Sequence, residues 1–230
     1  MNTGIIVAAG KGIRMNQKNR KQYLPMMGLP IISHTLNVFE SCEIIDDIIL
    51  VIPEQDFDYC RKQILMSADE KKRLELVAGG PERQDSVYNG LSAMKDIHGI
   101  AVIHDGVRPF VNVDVLAACV KTAAAKGACI LGMPVSDTMK KVNSEGYIEE
   151  TLNRNTLWTA QTPQAFQYAI IKEAHDKART DGIRGTDDAL LVERLGYKVD
   201  IIEGSRFNIK ITTPEDLQLA DAIFQLFQSE

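Results

Sequence analysis

Five short apolar runs recur along the chain, at Ile5–Ala8, Ile48–Ile52, Leu74–Val77, Ile100–Ile103 and Cys129–Met133, and most of the segments between them carry helical periodicity. Continuous runs of this kind suit strands buried on both faces, so their alternation with helices predicts a mostly parallel sheet wrapped by helices. Between the third and fourth runs Val87, Leu91, Met94 and Ile97 fall at steps of four, three and three, which predicts one helix face against the sheet with Arg83, Gln84, Asp85 and Ser86 in its first turn. Thr213-Pro214-Glu215-Asp216 reads as a helix start, with Thr as N-cap, Pro at the first helical position and acids in the first turn. That last helix is predicted to run to about Phe227.

One stretch departs from this alternation. Residues 134–161 show no helical stripe, and Thr138 to Thr151 carries the turn residues Asn143, Ser144 and Gly146 between two polar arms that can pair as a hairpin. A hairpin that cannot bury a face alone needs a partner, and a second copy of the chain is the simplest one. The expected architecture is a single domain over residues 1–230, a Rossmann-like, mostly parallel twisted α/β sheet flanked by helices, with a protruding β-hairpin arm at about 134–161 for dimerisation. No internal repeat or linker marks a second domain.

Composition narrows the class. Of 230 residues 45% are hydrophobic and 25% charged, which excludes a disordered chain, and 16 Gly with 8 Pro exclude collagen-like or low-complexity sequence. The net charge of −5 has the wrong sign for a nucleic-acid or anionic-membrane surface, so an anionic ligand must be held locally. Cys42, Cys60, Cys119 and Cys129 form no C-x-x-C pair and sit at no zinc-finger spacing, which reads as reduced thiols. The apolar run at residues 5–9 is too short for a signal-peptide core, and no run approaches the ~18 residues of a membrane span. A cytoplasmic protein is expected.

The candidate chemistry lies at the carboxyl ends of the predicted strands. The first runs straight into Ala8-Ala9-Gly10-Lys11-Gly12-Ile13-Arg14-Met15, where α/β proteins bind phosphates and small residues let a polyphosphate approach the backbone. The third glycine of G-x-G-x-x-G would fall at Met15 and no G-x-x-x-x-G-K-[ST] occurs, which disfavours a dinucleotide dehydrogenase and a Walker-type ATPase. Instead Lys11, Arg14, Lys18, Arg20 and Lys21 place five cations within eleven residues, a density that a triphosphate would explain and that a solvated basic loop would also produce. A second glycine turn, Ala78-Gly79-Gly80-Pro81, opens the helix containing Arg83 and Ser86. The fourth strand ends in His104-Asp105-Gly106-Val107-Arg108-Pro109, with Asp105 a candidate hard ligand for Mg²⁺ and Arg108 either a phosphate fork or an internal partner of Asp105. His104 reads as structural. Asp56-Phe57-Asp58 resembles a metal-binding D-x-D triplet but falls in a predicted helix, where it reads as a solvated first turn. Trp158 and Phe166 read as packing residues.

These motifs do not stand alone. With Lys21-Gln22-Tyr23-Leu24, His34-Thr35-Leu36, Ser86-Val87-Tyr88-Asn89-Gly90, Asp137-Thr138-Met139-Lys140, Leu157-Trp158, Gln161-Thr162-Pro163-Gln164, Thr186-Asp187-Asp188-Ala189 and Asn208-Ile209-Lys210, in order over essentially the whole chain, the sequence resembles the 2-C-methyl-D-erythritol 4-phosphate cytidylyltransferases of non-mevalonate isoprenoid biosynthesis. A C-terminal cyclodiphosphate synthase of the kind fused in some relatives is not expected at this length.

The resemblance implies transfer of CMP from CTP to the phosphate of methylerythritol phosphate with release of pyrophosphate. A phosphate monoester is already anionic, so such a reaction needs positioning and charge neutralisation rather than a Ser, Cys or His catalyst. By resemblance, Arg14 and Lys21 stabilise the pentacoordinate α-phosphate. Ala8, Ala9, Gly10, Gly80, Ser86, Asp105, Gly106 and Arg108 line the CTP site, with Asp105 on Mg²⁺ or another divalent cation, and Thr138, Arg154, Thr186 and Lys210 hold the erythritol phosphate. A homodimer with shared active sites, CTP and a polyol phosphate are the implied partners, with no nucleic acid or membrane. The chain departs from the family at Arg20, where Pro often precedes the catalytic Lys, and at Pro81, where an acid often follows Gly80. Ribitol 5-phosphate cytidylyltransferase, and a non-catalytic nucleotide-binding regulator of the same fold, are the alternatives.

Overall fold

The computed structural model describes residues 1–10, 20–65 and 72–228. All five apolar runs are strands: β1 (Asn2–Val7), β2 (Asp47–Ile52), β3 (Arg73–Ala78), β4 (Ile100–Asp105) and β5 (Ala128–Pro134). A small separate hairpin pairs β6 (Lys140–Val142) with β7 (Ile148–Thr151), and the chain returns through β8 (Trp158–Gln167) and β9 (Asp200–Glu203). Among the described residues seven strands make one sheet in the order β9-β5-β8-β4-β1-β2-β3, with only β8 antiparallel to its neighbours.

Successive residues of a strand point to opposite faces, and here both faces are covered. Ile6, Leu50 and Val102 pack with Leu36 and Phe39 of α1 (Ile31–Ser41) and Leu116 and Val120 of α3 (Val113–Lys126). Ile5, Ile49 and Ile103 pack on the other face with Val87 and Leu91 of α2 (Arg83–Ala93), Ile171 and Ala174 of α4 (Tyr168–Asp181), and Leu191 of α5 (Asp188–Arg194). The last helix, α6 (Pro214–Gln228), starts where expected: Thr213 Oγ1 accepts from the Asp216 N–H at 3.3 Å while the Asp216 carboxylate accepts from Thr213 N at 2.9 Å.

Two expectations shift. The stripe on α2 ends at Met94, and Ile97 is 55% exposed because the helix stops at Ala93. The stretch at residues 134–161 is not wholly outside the main sheet, since its end, from Trp158, enters β8 between β4 and β5. Buried polar residues blur its apolar pattern, and they are satisfied from outside the strand. Gln164, 1% exposed, donates to Asp187 Oδ2 at 2.8 Å and accepts from the backbone of Asp188 and Ala189 at 3.1 and 3.2 Å.

Candidate active site

The carboxyl ends of β1, β3 and β4 meet in one cleft of about 630 Å³, lined by Ala8, Ala9, Gly10, Lys21, Gln22, Gly80, Pro81, Glu82, Arg83, Ser86, Asp105 and Lys210 among others. Small residues make it open. A Cβ on Gly79 would lie 2.2 Å from Ala9 Cβ, so the β3 turn closes on the β1 turn only because no side chain intervenes. Ser86 fixes the turn from inside: its hydroxyl accepts from Gly80 N and donates to the Glu82 carbonyl, both at 3.1 Å. α2 therefore begins at the cleft wall, with its first-turn N–H dipoles toward it.

Asp105 forms the charged floor. Its side chain is 9% exposed and faces three cations, with Arg83 Nε 3.1 Å from Oδ1 and Lys210 Nζ 2.8 Å and Arg108 Nε 3.7 Å from Oδ2. Burial opposes its charge, but Arg83 and Lys210, with Arg108, overcome that penalty and hold the carboxyl well below the usual carboxylate range. Arg83 is itself forked, with Nη1 2.8 Å from Asp188 Oδ2, and Asp188 Oδ1 lies 3.1 Å from Nε2 of the fully buried His175. Beneath the floor His104 is buried and pushed down to about 4, chiefly by desolvation. Thr162 Oγ1 accepts from the Asp105 N–H at 3.1 Å and lies 3.0 Å from His104 Nδ1, while His104 Nε2 lies 3.0 Å from the Arg108 carbonyl. These contacts select the neutral Nε2–H tautomer.

The model of the family 2-C-methyl-D-erythritol 4-phosphate cytidylyltransferase (IspD) matches residues 3–226. The chain belongs to that family. The curated enzyme of this name from Syntrophus aciditrophicus is 48% identical over 221 residues, covering 96% of this chain and 94% of its own, and that from Geotalea uraniireducens is 46% identical over 230 residues, covering 99% and 98%. Among solved structures, a 4-diphosphocytidyl-2C-methyl-D-erythritol synthase from Anaerococcus prevotii superposes with a TM-score of 0.88 at 32% identity, covering 97% of this chain and 96% of that one. A 2-C-methyl-D-erythritol 4-phosphate cytidylyltransferase from Thermus thermophilus gives 0.78 at 30% identity, covering 98% and 100%. The α/β architecture is thus the family's, and the chain is a cytidylyltransferase.

Among the described residues the family's motifs do not all converge on the cleft. Ala8, Ala9, Gly10, Gly80, Ser86, Asp105, Lys21 and Lys210 share the cleft. Gly106 lies behind Ala8, where a Cβ would come within 2.9 Å of the Ala8 Cβ. Arg108, its side chain 13% exposed, turns inward and donates from Nη1 to the Asn208 carbonyl at 2.7 Å, so in this geometry it is the internal partner of Asp105. Thr138, Arg154 and Thr186 are exposed and outside the cleft lining, and Arg154 Nη1 donates to the Ser136 carbonyl at 2.6 Å within the arm. Arg14, with Lys11 and Lys18, lies outside the described residues. Arg20 is not spare phosphate-binding charge: it pairs with Asp56 at 2.9 Å, which also corrects the reading of Asp56 as a solvated acid. Arg83 and Gln22 are among the cleft residues that had no role in the sequence reading. Arg83 was visible there as a cation in the first turn of α2, whereas the anchor Gln22, bonded from Nε2 to the Ala8 carbonyl at 2.7 Å, carries no charge or spacing signal.

Proposed function

We propose that the chain transfers CMP from CTP to the phosphate of 2-C-methyl-D-erythritol 4-phosphate in the cytoplasm. An oxygen of the substrate phosphate forms a bond to the α-phosphorus of CTP, the bond from that phosphorus to the β-phosphate bridge breaks, and pyrophosphate leaves. The observation that carries this reading is the cleft itself: a glycine- and alanine-walled opening beside Lys21, with Arg83 and Lys210 gathered on a single carboxylate. The triphosphate lies along the Ala8–Gly10 backbone and Gly80, Ser86 keeps the glycine turn in shape, and Lys21 with Arg14 meets the charge that grows on the α-phosphate. Lys210 turns from Asp105 toward the incoming substrate phosphate. No proton has to be removed from the nucleophile, so the neutral His104 keeps a purely architectural task.

Among the described residues no group of three His, Cys, Asp or Glu side chains could cage a metal ion. The donor set instead suits a Mg²⁺ held mostly by phosphate oxygens, with Asp105 as its protein ligand. Such an ion would supply neutralisation of triphosphate charge, and Asp105, which would hold it, also carries Lys210 and Arg83. The arm supports a homodimer in which Thr138 and Arg154 reach the cleft of a second copy, because Val142, Tyr147 and Ile148 expose 55%, 68% and 63% of their surface on it. Incubating the protein with radiolabelled CTP, Mg²⁺ and either methylerythritol phosphate or ribitol 5-phosphate tests the function. A labelled CDP-methylerythritol spot and equimolar pyrophosphate are expected, and their absence would overturn it.

A further inference from the structure

Lys21 stands between two anchors that pull in different directions. On its C-terminal side Gln22, 1% exposed, is tied to the end of β1 through the Ala8 carbonyl at 2.7 Å. On its N-terminal side Arg20 reaches away from the cleft and places Nε 2.9 Å from Asp56 Oδ2, with the two side chains only 26% and 17% exposed. Tyr23 completes the attachment, its ring edge-on to Tyr59 at 5.0 Å between centroids, so that residues 20–24 are fastened onto the segment at residues 54–60.

The backbone explains why the outer anchor matters. Arg20 has φ −65° and ψ 140°, and the short turn Lys21–Tyr23 begins directly after it, closed by Tyr23 N on the Arg20 carbonyl at 3.0 Å and Leu24 N on the Lys21 carbonyl at 3.1 Å. A proline ring would lock φ at about this value. Arginine has no such lock, so beyond the Tyr23 N–H on its carbonyl the place of Arg20 is held by what its side chain grips. Asp56 is the group it grips, and the charge of Asp56 also adds to the burial that raises the Tyr23 phenol.

We propose that Asp56 is a positioning residue for Lys21: through its ion pair with Arg20 it holds the backbone from which the lysine enters the cleft. The inference rests on Lys21 acting in cytidylyl transfer. A cation aimed at a transition state is sensitive to sub-ångström misplacement, whereas ground-state binding of CTP draws on many other contacts, so loosening this anchor acts on kcat more than on KM. A charge elsewhere on the surface would have no such selectivity.

The test compares four proteins in the CTP and methylerythritol phosphate assay: parent, Asp56→Ala, Arg20→Pro and the double variant, with Asp56→Asn as a near-isosteric control and thermal unfolding for each. Asp56→Ala and Asp56→Asn are expected to lower kcat by ~10-fold with KM for CTP within about twofold of the parent. Arg20→Pro, which supplies the φ restraint covalently, should stay within about threefold of the parent, and adding Asp56→Ala to it should cost no more than about twofold. Rescue by proline separates positioning from mere stability. If Asp56→Ala lowered the melting temperature yet left kcat unchanged, or if the loss in kcat persisted in full in the Arg20→Pro background, the proposal would be wrong. A parent that made no CDP-methylerythritol at all would overturn the functional reading and this inference with it.

Discussion

Lys210 Nζ lies 2.8 Å from Asp105 Oδ2, an ion pair that joins the loop before α6 to the end of β4. The two residues are far apart in sequence, and each was expected at the site for a different reason, one to hold substrate phosphate and one to hold metal. Their pairing gives Lys210 an internal counter-ion in the resting cleft. On the proposed function, Lys210 would be the residue that turns to the substrate phosphate and Asp105 the one that would hold a divalent cation.

Asp105→Asn should therefore do two things. Mg²⁺-dependent turnover should fall below detection, because the amide loses the charge that a hard cation prefers. Stability should fall as well, since Lys210 and Arg108 would lose their shared anion and Arg83 would keep only Asp188. Breaking a buried pair costs ~3–5 kcal/mol, and because Arg83 and Lys210 are about a third exposed and can rehydrate, the lower end is expected, about 3 kcal/mol. Urea unfolding and a metal titration check both, and an unchanged activation curve would leave Asp105 a structural anchor only.

Lys21→Ala should lower kcat by ~10²–10³ while KM for CTP stays nearly constant, the pattern of a group that acts mainly as charge develops in the transition state. Arg14→Ala should behave alike. A Lys21→Ala enzyme within threefold of the parent would remove this lysine from the chemistry.

Acid stability should show the buried imidazole. His104 titrates near 4 in the folded protein and near 6.5 when unfolded. Its folded pKa is depressed, so the unfolded chain binds the proton first, and the stabilisation is full above pH 6.5 and lost as pH falls toward 4. That window carries about 3 kcal/mol. Asp105, depressed below its ordinary value, adds a further loss only below about pH 4. Chemical denaturation of His104→Gln at pH 7, 5.5 and 4.5 should give a flatter profile than the parent, and an identical slope would show that another group controls this window.

Methylerythritol phosphate should exceed ribitol 5-phosphate by at least tenfold in kcat/KM, roughly 1.4 kcal/mol, an amount that a few polyol contacts can supply. Equal use of the two would assign the chain to the sister activity.

Strands that are apolar on both faces were easy to read, because Ile5 and Ile6, or Ile49 and Leu50, each find a separate core on opposite sides of the sheet. β8 was not, because its buried half depends on Gln164 and Thr162, whose hydrogen bonds come from α5 and β4, far away in sequence. The same limit applies at the site. Asp105 and the glycine turns follow directly from strand ends, but the choice of Arg108 as internal partner rests on the Asn208 carbonyl, which no local pattern predicts. Likewise Arg20 was open between a phosphate-binding cation and a solvated one until Asp56 stood beside it.

The arm supplies the remaining prediction. Among the described residues β6 and β7 pair only with each other, and the exposed Val142, Tyr147 and Ile148 lie on this hairpin. Thr138 and Arg154 flank the ribbon outside the cleft lining, so a route that brings them to substrate is across a two-fold axis into the cleft of a second copy. Each site would then combine Arg14 and Lys21 of one chain with Thr138 and Arg154 of the other. Co-refolding inactive Arg14→Ala with inactive Arg154→Ala in equal amounts tests this directly. Random pairing makes half of the dimers mixed, and each mixed dimer carries one intact site and one doubly damaged site, so about a quarter of parental activity should return. Full inactivity of a mixture shown by chromatography to contain mixed dimers would mean that the arm serves its own chain.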